Sequence, residues 1–185
     1  MKYCSSCGAL VEIKVPEGDT FPRAVCTQCH TIHYQNPRII TGTLPIWQNQ
    51  VLLCKRAIAP RDGFWTLPAG FLENSETVAA GAARETMEEA NAQVTNLQLY
   101  TVFSLPHISQ VYTFFRADLN GPHYSSGPES LEVELFDEQD IPWDELAFPV
   151  IAQTLRHYFH DRQSGNYPTH YADLEFKRPP LTPTS

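Results

Sequence analysis

The stretch from Gly63 to Ala92, GFWTLPAGFLENSETVAAGAARETMEEANA, decides the fold of this chain. Within it Glu85, Glu88 and Glu89 are spaced i, i+3 and i+4, so an α-helix of 3.6 residues per turn puts all three carboxylates on one face. Carboxylates held this close raise one another's pKa values unless a cation neutralises them. The stretch therefore predicts a helix that carries a site for a hard divalent ion such as Mg²⁺.

The ends and the opposite face of this helix can also be read from the sequence. The helix should run from about residue 76 to about residue 90, since Asn74 or Ser75 can cap its start and Asn91 tolerates the left-handed backbone that ends helices. Opposite the carboxylates, the pattern predicts an apolar stripe that lies against a sheet and consists of Ala79, Ala83, Met87 and Ala90. We therefore expect the glutamates to face a cleft.

Four cysteines near the N-terminus form two C-x2-C pairs, Cys4 with Cys7 and Cys26 with Cys29. Two such pairs at this separation are typical of a zinc ribbon, in which four thiolates coordinate the ion tetrahedrally and leave no open position for catalysis. The predicted zinc is therefore structural. Ligation by a nearby histidine, a pair of disulfides, and a nucleic-acid-binding role for the ribbon are the alternatives.

Composition limits the classes of function. The 185 residues are enough for one domain of ordinary size with a small appendage, and their formal net charge is −8. That charge disfavours nonspecific binding to a nucleic-acid backbone, which requires a basic surface. The sequence shows neither an apolar run that could span a membrane nor a secretory signal, so we expect no membrane partner and a cytoplasmic protein.

A β pattern begins after the joint between modules at residues 34–38. Segments 39–47 and 51–54 predict a hairpin, 94–103 and 110–119 predict two further strands, and 129–136 alternates as an edge strand does. A second helix fits residues 148–161, whereas 165–185 should form an extended or disordered tail. Two helices among roughly six or seven strands predict an α/β sandwich with a mixed sheet.

The central stretch resembles the Nudix box, G-x5-E-x7-R-E-U-x-E-E-x-G-U, in which U is aliphatic. The required positions hold Gly70, Glu76, Arg84, Glu85, Glu88 and Glu89. The family's last glycine is Asn91 here, and Thr86 and Ala92 stand at two aliphatic positions. The resemblance implies a Nudix-type α/β/α sandwich over residues 35–164, preceded by a zinc ribbon over 1–34 and followed by the tail over 165–185.

The resemblance also implies roles for the box residues. Mg²⁺ or Mn²⁺ would be held by the three glutamates of the helix and by the carbonyl of Ala69, in the bend before it. Arg84 would pair with Glu76 and fix the loop rather than touch substrate, and Gly70 would be structural. In Nudix proteins a carboxylate from a loop across the cleft often completes the metal site; Glu129 and Glu132 are the candidates here, and either one or a box glutamate would be the general base.

Other side chains near the box are candidates for substrate contacts. Lys55 and Arg56 lie at a strand end that leads into the box, where they can reach phosphate oxygens, with a solvated strand end as the alternative. Three aromatic residues can stack on a nucleotide ring, with core packing as the alternative: Phe64, Trp65 and Tyr112.

Similarity to ribbon-bearing Nudix hydrolases extends over about residues 1–178. The layout is that of the NADH pyrophosphatases, but SLPHISQVY stands where those enzymes carry a Ser-Gln-Pro-Trp-Pro-Phe-Pro motif, and several stretches are more similar to the plant FAD and ADP-ribose pyrophosphatases. This resemblance implies Mg-dependent cleavage of ADP-ribose or FAD between the phosphates, and a homodimer. NADH or an NAD-like RNA cap is the alternative substrate, and a non-enzymatic nucleic-acid or nucleotide-binding regulator is the alternative class.

Overall fold

The computed structural model of the chain describes residues 1–175. The chain divides into two compact units, Met1–Pro37 and Arg38–Ser185, and the division falls within the joint at residues 34–38. In the first unit, β1 (Val11–Lys14), β2 (Arg23–Cys26) and β3 (Ile32–His33) form an antiparallel sheet in the order β1-β2-β3. β3 has only two residues, too few to show a period in the sequence.

The second unit is built on an eight-stranded mixed sheet. Its path is β10-β5-β4-β9-β8-β11, with β6 paired to β5 and β7 paired to β4. The β4–β9 and β11–β8 pairs are parallel and the others are antiparallel, which confirms the predicted mixed sheet. The strands are β4 (Arg38–Trp47), β5 (Gln50–Arg56), β6 (Trp65–Thr66), β7 (Ala69–Phe71), β8 (Val94–Leu105), β9 (Gln110–Leu119), β10 (Ser130–Phe136) and β11 (His170–Asp173).

Two helices, α1 (Val78–Ala90) and α2 (Pro149–Arg162), cover opposite faces of this sheet. Alternate residues of β5 show the arrangement, because successive side chains of a strand point to opposite faces. Val51 and Leu53 pack in a core cluster that contains the buried residues of α2, whereas Leu52 and Cys54 pack with Ala90 of α1. The α/β/α layering expected from the sequence is therefore present.

The structure corrects the predicted start of α1. The helix begins at Val78, and its cap is Thr77, whose hydroxyl oxygen accepts a 3.1 Å hydrogen bond from the Ala80 N–H. Neither Asn74 nor Ser75 takes that role. Asn91 ends the helix in the left-handed conformation, with φ 48° and ψ 32°, as the sequence predicted.

The predicted apolar stripe of α1 is confirmed only at Ala90, which is buried; Ala79 and Ala83 are half-buried. The buried side of the helix carries Gly81, Ala82, Glu85, Thr86, Glu89 and Ala90, whereas Met87 is exposed. Two of the three glutamates thus lie on the side that faces the sheet rather than opposite the packed side. The small residues on that side let the helix approach the sheet closely enough to enclose them.

The tail prediction is also wrong in part. Residues 170–173 form β11, which adds in parallel to the edge of the sheet beside β8. Residues 176–185 of the predicted tail lie outside the described residues. Within residues 1–175, no helix is long and apolar enough to span a membrane.

Candidate active site

The bend between β6 and β7 is held against the sheet by close backbone packing. A Cβ on Gly42 of β4 would lie 2.3 Å from the Pro68 carbonyl oxygen and 2.4 Å from the Ala69 Cβ, so only glycine fits there. The next residue of β4, Thr43, donates its N–H to the same Pro68 oxygen at 3.1 Å. The Ala69 backbone is thereby fixed where α1 faces the sheet.

Arg84 fastens the loop before α1 to the helix. Its Nε and Nη2 donate to the two carboxylate oxygens of Glu76 at 3.1 and 2.8 Å, and its Nη2 also donates to the Phe71 carbonyl at 3.2 Å. The Glu76 carboxylate in turn accepts from the Glu73 N–H at 2.7 Å. The bond from Arg84 and the one from the Glu73 N–H lower the pKa of Glu76 to about 2. The predicted Arg84–Glu76 pair is therefore present.

The same arginine reaches the acidic cluster. Arg84 Nη1 donates to Glu85 Oε1 at 2.7 Å and to Glu88 Oε2 at 2.9 Å. One guanidinium thus donates hydrogen bonds to three carboxylates. These bonds, above all those to Glu76, raise the pKa of Arg84. Arg84 draws Glu85 and Glu88 together on one side of the cluster and leaves Glu89 outside its hydrogen bonds.

Glu85 and Glu89 are buried, with 8% and 7% of their surfaces exposed. Burial, and then the negative charge of Glu85, raise the pKa of Glu89 to about 8. Within residues 1–175, Glu89 Oε2 has no hydrogen-bond partner although it is buried. A carboxylate oxygen in this state is costly in a folded protein unless something binds to it.

Gly70 makes room for the Glu85 carboxylate. A Cβ at residue 70 would lie 2.4–2.5 Å from both oxygens and the carboxyl carbon of Glu85. The carboxylate therefore rests against the backbone of β7, beside Ala69. Burial is also the largest cause that raises the pKa of Glu85.

Thr86 explains one departure from the box pattern. Its hydroxyl is buried, donates to the Ala82 carbonyl at 2.9 Å and lies 2.6 Å from the Thr43 hydroxyl of β4. This hydroxyl pair satisfies a polar group at a position that faces the sheet. Thr86 thus docks α1 on β4 in place of an aliphatic residue.

The two candidate carboxylates near β10 lie in different places. Glu129 lines the cavity that the box residues also line, and its charge contributes to the raised pKa values of Glu85 and Glu89. Glu132 lies outside this lining and forms an exposed 3.0 Å ion pair with Lys55. Glu129 precedes β10, whereas Glu132 lies within the strand, opposite Lys55 of β5.

The cavity has a volume of about 1120 Å³. Its lining combines charged side chains with apolar and aromatic ones. The charged lining comprises Arg56, Arg61, Glu73, Arg84, Glu85, Glu88, Glu89 and Glu129. The apolar and aromatic lining includes Ile40, Leu105, Ile108, Tyr112, Phe148 and Leu174.

Only one of the two predicted cations reaches this cavity. Arg56 lies on the same face of β5 as Cys54, towards α1, whereas Lys55 points to the other face because side chains alternate along a strand. Arg56 donates to the carbonyls of Pro60 and Ile58 at 3.0 and 3.4 Å. Part of its guanidinium therefore shapes the loop after β5.

Two of the three predicted stacking residues lie elsewhere. Trp65 is buried in the core, edge-on to Phe136 at 4.9 Å, because the two-residue strand β6 turns it inward. Phe64 is outside the lining and packs against the Arg61 guanidinium. Tyr112 does line the cavity. No local sequence pattern identifies Phe148 or Leu174 as lining residues, because their contribution depends on long-range packing.

The chemistry of this donor set fits a divalent metal ion, but within residues 1–175 its carboxylate oxygens are not gathered within 4.8 Å of one another as the ribbon cysteine sulfurs are. It combines buried carboxylates, one oxygen without a hydrogen bond, and a glycine whose missing side chain leaves space at the Glu85 oxygens. Hard cations such as Mg²⁺ and Mn²⁺ prefer such oxygen ligands. Glu88 is exposed at the rim of this group, where it can reach an ion that also contacts substrate.

The N-terminal unit contains a separate metal-binding group. Cys4, Cys7, Cys26 and Cys29 offer sulfur atoms that all lie within 4.8 Å of one another. The Sγ separations of 3.4–3.7 Å suit thiolates around one ion and are far longer than an S–S bond. His33 Nε2 lies 3.3 Å from Cys4 Sγ, where it can support a ligand. The four cysteines therefore form the predicted zinc ribbon site.

Comparison with known families covers most of the chain. Residues 2–35 match the family described as Nudix N-terminal, a zinc ribbon, and residues 37–158 match the NUDIX domain. A protein named NAD-capped RNA hydrolase NudC, from Salmonella heidelberg (strain SL476), is 30% identical over 144 residues, a match that covers 76% of this chain and 53% of that protein. The chain spans about half the length of the curated relatives it matches.

Solved structures agree with the fold. The crystal structure of a NUDIX hydrolase from Nitrosomonas europaea has 56% sequence identity and a TM-score of 0.88, and the match covers 94% of this chain and 100% of that chain. An ADP-ribose pyrophosphatase from Streptococcus suis 89-1591 has 19% identity and a TM-score of 0.58, and the match covers 74% of this chain and 100% of that chain. The second similarity concerns the fold alone.

Proposed function

The chain belongs to the Nudix hydrolase family, and from that premise we propose that it hydrolyses the phosphoanhydride bond of a nucleoside diphosphate derivative with Mg²⁺ or Mn²⁺. ADP-ribose or FAD is the proposed substrate, and AMP plus the other phosphorylated half are the products. The observation that carries the proposal is the buried, incompletely hydrogen-bonded carboxylate cluster that lines a large cavity.

The box residues supply the metal site in this proposal. Glu85, Glu88 and Glu89, with the carbonyl oxygen of Ala69, would hold the ion. When bound, Mg²⁺ neutralises charge on the diphosphate and orients the groups for in-line attack by water. Arg84 keeps two of these carboxylates in position through its hydrogen bonds and remains tied to Glu76.

Two further charged residues of the cavity have proposed roles, one in binding the substrate phosphates and one in activating the attacking water. Arg56 lines the same cavity as the carboxylate cluster. Its N–H groups that do not bind the loop carbonyls can donate to phosphate oxygens. Glu129 is the proposed general base, because it lines the same cavity and is not committed to a cation as Glu132 is. Tyr112 offers an aromatic face to a nucleotide ring.

The test is a substrate panel with purified protein and Mg²⁺ or Mn²⁺. ADP-ribose, FAD and NADH are offered in parallel, and products are separated by HPLC. We expect AMP from ADP-ribose or FAD, a large loss of turnover in Glu129→Gln, and unchanged turnover in the matched control Glu134→Gln, whose side chain is exposed on β10. Absence of metal-dependent turnover on every substrate would contradict the proposal.

A second candidate substrate is NADH or an NAD-capped RNA. The similarity to a protein named NAD-capped RNA hydrolase supports it to a comparable degree. A capped RNA would bring a polyanion to a chain of net charge −8, so its binding should depend little on nonspecific phosphate contacts. A strong preference for NADH or capped RNA in the panel would replace ADP-ribose and FAD with this candidate.

The non-enzymatic alternative makes a different prediction. A ribbon protein that only binds nucleic acid should bind oligonucleotides in a salt-dependent way and show no turnover with Mg²⁺. The carboxylate cluster argues against it, because a binder of phosphates gains nothing from buried negative charge. The homodimer and the cytoplasmic location stay predictions of the sequence.

Structural zinc at the four cysteines can be tested directly. Metal analysis should give one zinc per chain, and a strong zinc chelator should release it, with loss of ordered structure in residues 1–37. A small ribbon cannot bury enough apolar surface to fold without its ion. Retention of all ribbon NMR signals after zinc removal would contradict a structural role.

A further inference from the structure

Residues 170–174, which we name the C-terminal wall, contribute to the cavity although they lie far in sequence from the box. β11 pairs in parallel with β8, and the Leu174 N–H donates to the Ser104 carbonyl at 2.8 Å. Leu174 lines the cavity and packs against the main core cluster. The last described strand of the chain thus borders the same space as the carboxylate cluster.

The wall lies at the opposite side of the cavity from the bend at Ala69. β7 pairs with β4, and the sheet continues through β9 and β8 to β11. Three interstrand spacings separate β4 from β11, about 14 Å at roughly 4.8 Å each. Along this path the lining includes Ile40, Tyr112, Leu105 and Leu174, with the polar Gln110 of β9 beside Leu105. A diphosphate held at the carboxylates would therefore extend one of its substituents along an apolar surface towards the wall.

A polar cluster of Tyr100, Asp161 and His170, which we name the latch, attaches the wall to α2. His170 Nε2 lies 2.6 Å from Asp161 Oδ2 of α2, and the Tyr100 hydroxyl donates to the same oxygen at 2.8 Å. The His170 ring also stacks on His157 of α2, with the centroids 3.9 Å apart. A short edge strand of four residues has few backbone bonds of its own, so these side-chain contacts determine where Leu174 lies.

We propose that the C-terminal wall is a substrate-binding element, in which Leu174 contacts an apolar, planar ring of the nucleotide substrate and His170 is the positioning residue that holds it there. This proposal rests on the proposed function and extends it to a binding surface outside the box. The wall offers no charged group to the cavity, so it fits an uncharged heterocycle and not a phosphate or a free sugar phosphate.

The experiment compares four variants by steady-state kinetics with FAD and ADP-ribose. Leu174→Ala removes the proposed apolar contact with the substrate ring. His170→Ala removes the contact between β11 and Asp161 and changes no residue that lines the cavity. Leu174→Met preserves volume and should restore wild-type behaviour. Tyr171→Ala is the matched control, because Tyr171 is the exposed neighbour on the same strand.

We expect KM for at least one of the two substrates to rise about tenfold in Leu174→Ala, because the lost apolar contact binds ground state and transition state alike. His170→Ala should raise KM in the same direction, and kcat should stay near the wild-type value in both. Unchanged KM in Leu174→Ala, or an equal rise in Tyr171→Ala, would overturn the proposal.

Calorimetric titration of FAD without added Mg²⁺ or Mn²⁺ separates this proposal from the proposed function. The titration measures FAD affinity without turnover. It therefore tests the contribution of the wall to binding even if the wild-type protein hydrolyses none of ADP-ribose, FAD and NADH. Weaker FAD binding in Leu174→Ala than in Tyr171→Ala supports the wall, and equal binding rejects it. Loss of turnover in the wild-type protein rejects only the proposed function.

Discussion

Glu89 and Asp161 are both buried carboxylates of the second unit, with 7% and 6% of their surfaces exposed, and their surroundings differ. Asp161 accepts hydrogen bonds from Tyr100 and His170. Burial acts to raise its pKa, but these bonds outweigh burial and the pKa is lowered. Glu89 has one carboxylate oxygen with no hydrogen-bond partner in the described part of the chain, and its pKa is raised to about 8 by burial and by the charge of Glu85.

This difference separates a structural carboxylate from a candidate functional one. Burial alone does not mark a site, because both residues are equally hidden from solvent. Asp161 is matched by donors that the fold supplies, so it stabilises the attachment of β11 to α2. Glu89 costs stability as the fold stands, and that cost is consistent with a residue retained for a ligand.

Neutralising each carboxylate should give opposite results. Glu89→Gln should lower kcat by roughly a hundredfold or more, since it removes charge at the reacting phosphates, and should leave the protein folded. Asp161→Asn should leave kcat nearly unchanged and lower the free energy of unfolding by about 1–3 kcal/mol, because a buried charged acceptor loses its role. Steady-state kinetics and urea denaturation measure the two effects.

The comparison would fail if the two variants exchanged behaviour. Near-normal turnover in Glu89→Gln would contradict the metal assignment, and a stable Asp161→Asn protein would show that the latch contributes little. A rise of KM in Asp161→Asn is expected in addition, because the substitution loosens the wall.

Gly70→Ala tests the cluster through its backbone neighbour. The added Cβ would meet the Glu85 carboxylate at 2.4–2.5 Å, so the carboxylate must move away from β7. We expect metal affinity or turnover to fall about 10–100-fold, as for other residues that orient metal ligands. Titration of activity with Mg²⁺ measures the change, and wild-type Mg²⁺ dependence would show that the position of Glu85 against β7 is not required.

The sequence predicted the parts of this site that are local. The i, i+3, i+4 spacing of Glu85, Glu88 and Glu89 needs only helical geometry, and Asn91 needs only a left-handed backbone. The apolar stripe of α1 was confirmed only at Ala90, because helical spacing does not tell which side meets the sheet. Gly70 and the small residues of the buried side decide that, through contacts with strands distant in sequence.

The remaining features of the fold and the site depend on contacts between residues distant in sequence, which leave no local pattern. Glu129 and Glu132 are three positions apart, and only Glu129, which precedes β10, lines the cavity. β11 is an edge strand paired in parallel with β8 from about 70 residues away, and its sequence shows no clear period. The start of α1 was misplaced because Asn74, Ser75 and Thr77 are all good capping residues.

Stability against pH without added Mg²⁺ or Mn²⁺ should distinguish Glu89 from Asp161 by sign. The pKa of Glu89 is raised from 4.5 to about 8 on folding, so the folded protein binds the extra proton, and wild-type stability relative to Glu89→Gln falls as pH rises through that range. The pKa of Asp161 is lowered, so its contribution is present above the ordinary aspartate pKa and is lost as pH falls through the folded value.

Urea denaturation of both variants beside the wild type, at intervals from acid to pH 9, measures these slopes. Differences between variant and wild type remove the titration of all other groups that the proteins share. Saturating Mg²⁺ should abolish the fall in wild-type stability at high pH, because the cation then favours the ionised carboxylate. Parallel slopes for the two variants would reject the distinction.

Glu132→Gln is expected to have the smallest effect. Its carboxylate pairs with Lys55 on an exposed part of the sheet, with 51% of the Glu132 side chain accessible, and such pairs contribute about 0–1 kcal/mol. Turnover should therefore stay close to wild type, since the side chain does not line the cavity. Kinetics of Glu132→Gln beside Glu129→Gln measures this contrast directly. A loss in Glu132→Gln equal to that in Glu129→Gln would mean that β10 rearranges when substrate binds and that the exposed ion pair is not its working position.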